Sequence, residues 1–456
     1  MEERKMKRIT DKHRGRPGHS GGQETRAPRD KRRKGYRLLF CLLAIGFFAS
    51  VGAAQVEEMA IGNTFGVGAR EMGMGGASLG LADDYTALYW NPAGLAQIRQ
   101  FELFTSFSHN TATADTTFAG AETTGTSRSQ VRPNAIGMVY PFPRREGGLA
   151  IAFGYNRAQN FDTQTAIQGI DPGSGTEFSG LAVDETNVNT GGIGIWSFGA
   201  SMSLTKRILI GGSIDFWQGH SLNELDTTAT DIVNIDSELA RFRYDDETDR
   251  EYSGIGGRIG LLAHLTDAIS LGITLVSPIE LSVNEHWYQG TVAYYDDGEQ
   301  ISDSESGAQA FDIERPFEIG TGIAIKLLDK RLTFAGDVQL TDWTQTRYDP
   351  VPADNISQNN FEKFYATTLQ ARLGAEYRIP VIDTHVRLGY FRDTLPFTET
   401  DVENERDFLT MGVGKVFENM LKVDLAYMLG NWQRSNNALT TERVTHRVFV
   451  SAAYRF

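Results

Sequence analysis

Leu369-Gln370-Ala371-Arg372-Leu373-Gly374-Ala375-Glu376-Tyr377-Arg378-Ile379 is the stretch on which the fold turns. Its odd positions are apolar without exception, while the even ones carry Gln, Arg, Gly, Glu and Arg. A period of two puts the first set on one face of a β-strand and the second on the other. The pattern returns at 149–155, 332–340 and 421–429, the last with Leu421, Val423, Leu425, Tyr427 and Leu429 opposite Lys422, Asp424, Ala426 and Met428. Soluble sandwiches alternate too, but their strands average about five or six residues. Here the runs last about 9–13, the length a tilted strand needs to cross a bilayer. Their apolar faces tend to finish on an aromatic, as at Tyr155, Trp217, Tyr377, Tyr390 and Tyr454, in the manner of interfacial girdles.

Fourteen such runs can be marked: 100–109, 134–141, 148–157, 193–205, 207–217, 254–266, 268–277, 316–327, 331–343, 366–379, 384–393, 406–417, 420–432 and 444–456. The number is even, as bacterial single-chain barrels require. The connections alternate strictly between long (110–133, 158–192, 218–253, 278–315, 344–365, 394–405, 433–443) and short (such as Lys206 alone or Asp267 alone). Short periplasmic turns and long external loops produce that alternation; a soluble sandwich gives no reason for it. The expectation is an all-β fold, a 14-stranded antiparallel transmembrane β-barrel over 100–456 with both barrel ends on the periplasmic side. Its last strand closes on Phe456 and resembles the signal by which barrel-assembly machinery recognises bacterial outer-membrane barrels.

The composition divides in two. Of 44 Lys+Arg and 58 Asp+Glu, residues 1–54 hold 14 and 5, leaving 30 and 53 for the rest. The first segment is basic up to Arg37, apolar from Leu38, and ends in Ser50, Gly52, Ala53 and Ala54. Those are the parts of a secretory signal peptide, expected over 1–54 with cleavage after Ala53 or Ala54. Cleavage removes Cys41, the only cysteine, so thiolate nucleophiles, thiolate zinc and Fe–S clusters are excluded. With one long apolar run, the chain is no polytopic helical membrane protein. Its mature acidity argues against nucleic acid, which needs a basic face. The run Asp245-Asp246-Glu247-Thr248-Asp249 lacks the spacing and sixth-position Gly of an EF-hand. It reads as part of a solvated external loop, one that divalent ions could bridge to lipopolysaccharide.

Residues 55–99 do not alternate. They contain Gly66-Val67-Gly68-Ala69-Arg70-Glu71-Met72-Gly73-Met74-Gly75-Gly76-Ala77, then Ala82-Asp83-Asp84, then Tyr89-Trp90-Asn91-Pro92-Ala93-Gly94-Leu95. The glycines fit neither the dinucleotide nor the Walker spacing. Asp83 and Asp84 followed by Asn91-Pro92 read as helix capping and turn chemistry. A barrel of fourteen strands is wide enough to need filling, and this 45-residue segment is the obvious plug. The same stretch resembles the N-terminal hatch of the FadL-type outer-membrane transporters (OMPP1/FadL/TodX), whose pattern runs G-A-R-x-x-G-x-G-G-A, Ala-Asp-Asp, then Y-W-N-P-A-G-L. PorV/PorQ-type proteins share this hatch motif.

The resemblance implies passive uptake of hydrophobic small molecules, long-chain fatty acids or hydrocarbons. Ligand is held in an apolar pocket above the hatch and released laterally at a kinked third strand. Gly147, Gly148 and Gly154 are then the candidate kink points, since glycine permits bulges and bends; the alternative makes them small lumen-facing residues beside the plug. Asn91, Pro92 and Ala93 read as a hatch element contacting the wall, with a gating role, or as a structural turn. Arg372, Arg378 and Arg387 are lumen-facing charges that either bind a ligand carboxylate or pair with other charges across the interior. No catalytic residues, cofactor or metal are expected, and the chain is expected to act as a monomer among outer-membrane lipid and lipopolysaccharide. The alternatives are a PorV-like component of a protein-secretion or surface-attachment system, or a barrel lipase or deacylase.

Overall fold

The computed structural model describes residues 66–118, 124–143, 147–170, 180–234, 236, 238–350, 365–396, 398, 405–435 and 439–456. The expected signal peptide and the first eleven residues of the expected hatch segment lie outside them. Fourteen antiparallel strands form one closed sheet. They are β1 (Glu102–Phe118), β2 (Thr124–Pro141), β3 (Leu149–Arg157, resuming at Thr163–Ile170), β4 (Ala182–Ser203), β5 (Ile208–Thr230), β6 (Leu239–His264) and β7 (Ile269–Val276, resuming at Ile279–Tyr295). There follow β8 (Gln300–Arg315, resuming at Glu318–Leu327), β9 (Leu332–Asp342, resuming at Arg347–Asp349), β10 (Thr367–Ile379), β11 (Thr384–Thr394), β12 (Glu405–Phe417), β13 (Leu421–Ser435) and β14 (Leu439–Arg455). Each strand pairs with its sequence neighbours, and β1 pairs with β14 from Glu102↔Arg455 to Phe118↔Leu439, which closes the cylinder.

The wall obeys the period-two reading. Leu369, Leu373, Leu388, Leu409, Ile259 and Phe334 point outward and are exposed, members of an apolar band that runs round the barrel. Arg372, Glu376, Arg387, Asp424, Asp337 and Thr410 alternate with them and are buried inside. Such an inversion, apolar without and polar within, suits a wall whose outer solvent is hydrocarbon.

All fourteen expected strands are present, but several reach far past their expected ends. The segments read as long acidic loops, 218–253 and 278–315, are mostly strand: β5 and β6 run 23 and 26 residues and leave only a tip at 231–238. β7 and β8 likewise pair from Ile279↔Arg315 up to Tyr294↔Gln300. Asp245, Asp246 and Asp249 therefore lie on a ladder, where Arg243 holds Asp245 at 2.9 Å and Gln289 donates to Asp246 at 2.9 Å. On the other flank β10, β11 and β12 are only 13, 11 and 13 residues long.

The described part of the plug starts at Gly66. It consists of α1 (Ala69–Gly73), α2 (Ala87–Trp90) and a 3-10 helix at Pro92–Gln97, joined by turns and almost wholly buried. These helices are too short to stand alone. Their order comes from the wall around them.

Candidate functional site

The plug is fastened by side chains from nearly every part of the wall. Asp337 of β9 accepts from the amides of Ser78 (2.6 Å) and Leu79 (2.9 Å). Asn134 of β2 accepts from Gly68 N (3.0 Å) and donates to Gly66 O (2.8 Å). Ser451 and Thr410 accept from Ala69 N (2.8 Å) and Gly75 N (3.0 Å). Glu102 accepts from Tyr85 N at 2.7 Å and pairs with Arg455 at 2.6 Å. Polar plug backbone thus finds its partners on the wall, as buried amides must. At Gly75 the approach is so close, with φ at +65°, that a Cβ would lie 2.7 Å from Leu373 O.

Charges continue the fastening. Arg70 pairs with Asp83 and, at 3.4 Å, with Glu376 of β10. Glu376 also takes Arg387 at 2.7 Å, and Arg387 reaches Asp424 at 2.8 Å. Lys422 joins Asp424 (3.4 Å) to Asp84 (3.1 Å), closing a chain of plug and wall charges. Burial opposes ionisation of Asp84, but Lys422, Arg70 and a hydrogen bond from Thr86 overcome it and hold its carboxyl below the usual range. Glu71 nearby has no such excess of cations; burial and the Asp84 charge push it up to about 8.

Asn91, Pro92 and Ala93 are both turn and wall contact. The Asn91 carboxamide accepts from Ala93 N (3.2 Å), capping the 3-10 helix, and donates to Leu79 O (2.8 Å) and to Leu261 O of β6 (3.2 Å). Pro92 lies against Gly211 of β5, and Ala93 O accepts from Ser201 of β4 at 2.9 Å.

Further along the barrel, toward the long hairpins, inward residues of β3 to β9 gather into a packed apolar cluster. Phe161, Ile195, Trp217, Tyr252, Phe311 and Trp343 belong to it, with Tyr89 of the plug packed against it. Arg258 stands 4.9 Å over the Tyr89 ring. Burial, moderated by that cation, raises the Tyr89 hydroxyl above its ordinary pKa. Beside the plug, a crevice bounded by Trp90, Met72, Arg372, Phe391 and Asp393 has about 10 Å³ of free space, about that of one water.

The ladder beside this cluster is interrupted. The β2–β3 ladder runs only from Pro141↔Ala150 to Ala135↔Asn156. Beyond it, β2 keeps its ladder with β1 and the second half of β3 its ladder with β4, with Thr126 Oγ1 of β2 donating to Gln164 O across the break at 2.9 Å. Two local causes are visible. Pro133 has no amide to offer a neighbour, and the register shift beside it turns Asn134 inward onto the plug. On β3, Ala158 N and Gln159 N both donate to Ile193 O (3.0 Å each), a bulge facing Gly191 and Gly192 at φ +119° and +152°. Arg132 reaches across this gap to Asp162, with Nε at 3.0 Å and Nη2 at 2.6 Å.

The candidate kink glycines lie away from the interruption. β3 runs unbroken through Gly154 and interrupts at Ala158–Asp162. Gly147 turns with φ +74°, and a Cβ on Gly148 or Gly154 would lie 1.9 Å from Ala96 O or 2.2 Å from the Tyr85 hydroxyl. Gly148 and Gly154 are thus small residues that let the plug in, whereas the Gly147 position faces Ser203 of β4. Among the lumen arginines, Arg387 is consumed by Glu376 and Asp424, and Arg372 donates to Gln339 (2.9 Å) and Gln370 (2.6 Å). Arg378 is exposed at the turn end, paired with Asp383 at 2.8 Å. Sequence reasoning missed Arg132, Asp162 and Arg315; Pro133 within a strand and the pair Gly191-Gly192 were the legible signals for the gap.

Searched against family models and curated proteins, the chain matches none. Solved structures do match. A FadL homologue of Pseudomonas aeruginosa is similar with a TM-score of 0.59 at 14% identity, covering 87% of this chain and all of that one. The toluene transporter TodX of Pseudomonas putida is similar at 0.60 and 16% (86% and 99% covered), and the toluene transporter TbuX of Ralstonia pickettii at 0.56 and 18% (86% and 99%). The fold is that of the FadL-type outer-membrane channels: a plugged, 14-stranded antiparallel barrel.

Proposed function

We propose that this chain is a passive outer-membrane channel for the uptake of hydrophobic small molecules. The observation that carries the reading is the apolar cluster inside the barrel, which packs on Tyr89 of a wall-fastened plug and is flanked by a break in the β2–β3 ladder. Cargo enters from the long-hairpin end, rests against Trp217, Tyr252 and Phe311, and leaves sideways between β2 and β3 into the lipid. An apolar solute gains about 25 cal/mol per Å² on leaving water for such surroundings, and keeps that gain as it passes on into lipid. The short turns and both ends of the barrel then face the periplasm, Phe456 presents the barrel to the assembly machinery, and the acidic hairpins stand among lipopolysaccharide. The protein acts as a monomer, without catalysis.

The test pairs lipid mass spectrometry on the purified protein with hydrocarbon and fatty-acid uptake in a deletion strain. Co-purified apolar compounds and reduced uptake are expected. Unchanged uptake, no bound lipid, and co-isolation with secretion proteins would replace the channel with a secretion role.

A further inference from the structure

At the short-turn end of the barrel the apolar outer face runs down to the turns without a polar collar. On β6 and the turn after it, Ile255, Ile259 and Leu265 share one parity and are exposed; on β8 Ile319, Ile323 and Leu327 do the same. Leu204 and Leu328 are exposed within the turns themselves. Large apolar side chains on the outward face belong in hydrocarbon, so its boundary on this flank falls at the turns. What stands at that boundary is basic. The β4–β5 turn carries Lys206 and Arg207, and the β8–β9 turn Lys330 and Arg331, all four exposed. Among the described residues no carboxylate pairs with any of them. The β6–β7 turn lies between these two and is tied to both: His264 N donates to Arg207 O at 2.7 Å, and Lys326 N to Ala268 O at 2.7 Å. Thr205 Oγ1 further fixes the first turn by accepting from Arg207 N (3.1 Å) and Ile208 N (3.0 Å). Along this arc (204–208, 265–269 and 326–331) Lys326 makes a fifth cation, against two acids, Asp267 and Asp329.

Cations that meet the edge of hydrocarbon lay their stems along apolar surface and place their charges at the depth of lipid phosphates. A zwitterionic lipid brings its own ammonium with each phosphate and leaves the excess positive charge of the arc uncompensated. A lipid with net negative charge does not, and clusters of Lys and Arg at a membrane surface select for it. The far end of the same flank has the opposite character, since residues 218–253 hold ten acids and three bases. We propose that the arc from Lys206 to Arg331 is a binding surface for anionic phospholipid of the inner leaflet, with phosphates on Lys206, Arg207, Lys330 and Arg331 and acyl chains along Leu204, Leu265 and Leu327. The inference rests on the reading that the short turns face the periplasm, and adds to it the class of lipid that this flank takes.

The experiment exchanges the purified full-length barrel in detergent against equimolar phosphatidylglycerol and phosphatidylethanolamine with identical acyl chains, and counts bound lipid by native mass spectrometry. Phosphatidylglycerol is expected to be retained by about tenfold or more over phosphatidylethanolamine at low salt, and by less as salt screens the arc. Lys206→Gln, Arg207→Gln, Lys330→Gln and Arg331→Gln combined should abolish the preference. Lys206→Arg with Lys330→Arg should keep it, and so should Arg241→Gln with Arg243→Gln, a loss of charge at the far end. All variants are checked for the shift between boiled and unboiled bands that marks a folded barrel. Equal retention of the two lipids by the unmodified protein, or a preference that survives the four substitutions, overturns the lipid surface and leaves the channel reading standing. Equal retention together with binding of polyglutamate through the same four cations overturns it in favour of an acidic protein partner. Orientation is read separately: Lys206→Cys should react with a membrane-impermeant maleimide only once the outer membrane is permeabilised, and reaction in intact cells overturns both the orientation and the lipid surface.

Discussion

Replacing Asn91 by Ala tests whether the plug is held by the specific bonds described for it. The substitution removes a donor to Leu79 O (2.8 Å) and to Leu261 O (3.2 Å), and the acceptor of Ala93 N (3.2 Å). Leu261 lies within the β6 ladder, so the groups left stranded are chiefly Leu79 O and Ala93 N. Both belong to residues that are buried. Each orphaned group costs about 1–3 kcal/mol, which gives roughly 2–6 kcal/mol against the docked plug. At about 1.4 kcal/mol per decade the undocked population rises by roughly 30-fold to 10⁴-fold. Single-channel recording in planar bilayers is the assay: the unmodified barrel should be nearly silent, and Asn91→Ala should show brief ion-conducting openings. Hydrogen exchange at plug amides should accelerate in parallel. Asn91→Asp keeps the cap acceptor but sets a carboxylate oxygen against the Leu79 and Leu261 carbonyls at a buried position, so its effect should be at least as large. An Asn91→Ala protein with unchanged conductance and unchanged exchange would refute the reasoning, because the energy would then reside elsewhere in the plug.

Other consequences can be checked in the same preparation. Asp162→Asn should loosen the Arg132 bridge across the β2–β3 gap; a faster transfer of apolar dye from the protein to lipid vesicles is expected, with binding affinity nearly unchanged. Glu71, with its pKa raised to about 8, gives stability that is complete below the ordinary carboxylate value near 4.5 and is lost as pH rises through about 8. Plug amides should thus exchange faster at pH 9 than at pH 6, after correction for intrinsic exchange, and Glu71→Gln should flatten that difference. Gly154→Val places a methyl-bearing carbon about where the Tyr85 hydroxyl lies, 2.2 Å away, and should prevent the plug from docking while the barrel still migrates as folded. Phe456, packed on Phe101 and Tyr454 at ring distances of 5.5 and 4.7 Å, should on replacement by Ala lower the yield of assembled barrel in cells several-fold.

The alternation of large apolar and polar residues made every wall strand legible, since each face has its own solvent and a one-residue slip would exchange them. The extensions beyond the membrane were not legible for the same reason. On Ser221, Asn223, Glu224 and Asp226 both faces meet water or one another, so the contrast that marks a strand vanishes although the ladder continues. The plug motif was recognisable because its residues are individually required: Arg70 by Glu376, Asp84 by Lys422, Asn91 by Leu261 O. Those partners lie far away in sequence and could not be named in advance. Arg315 was hidden differently, at the end of a stretch read as a long connection (278–315), although Phe311, Ile313 and Arg315 already alternate with Asp312 and Glu314.

The long ladders of β5 to β8 change what the outside world meets. At about 3.4 Å per residue and a tilt of about 40°, the 26 residues of β6 rise roughly 70 Å, against an apolar band about 25 Å tall. Much of the exposed protein on that flank is therefore a hydrogen-bonded ribbon with fixed side-chain positions, and little of it is loop. Proteases, which bind extended and unpaired chain, find few sites between Gln218 and Thr230 or between Arg241 and Ser253. An antibody or phage fibre that grips this flank reads residues brought side by side across strands, such as Asp226 with Asp245 or Glu224 with Glu247. A linear peptide copied from either strand would present neither pair.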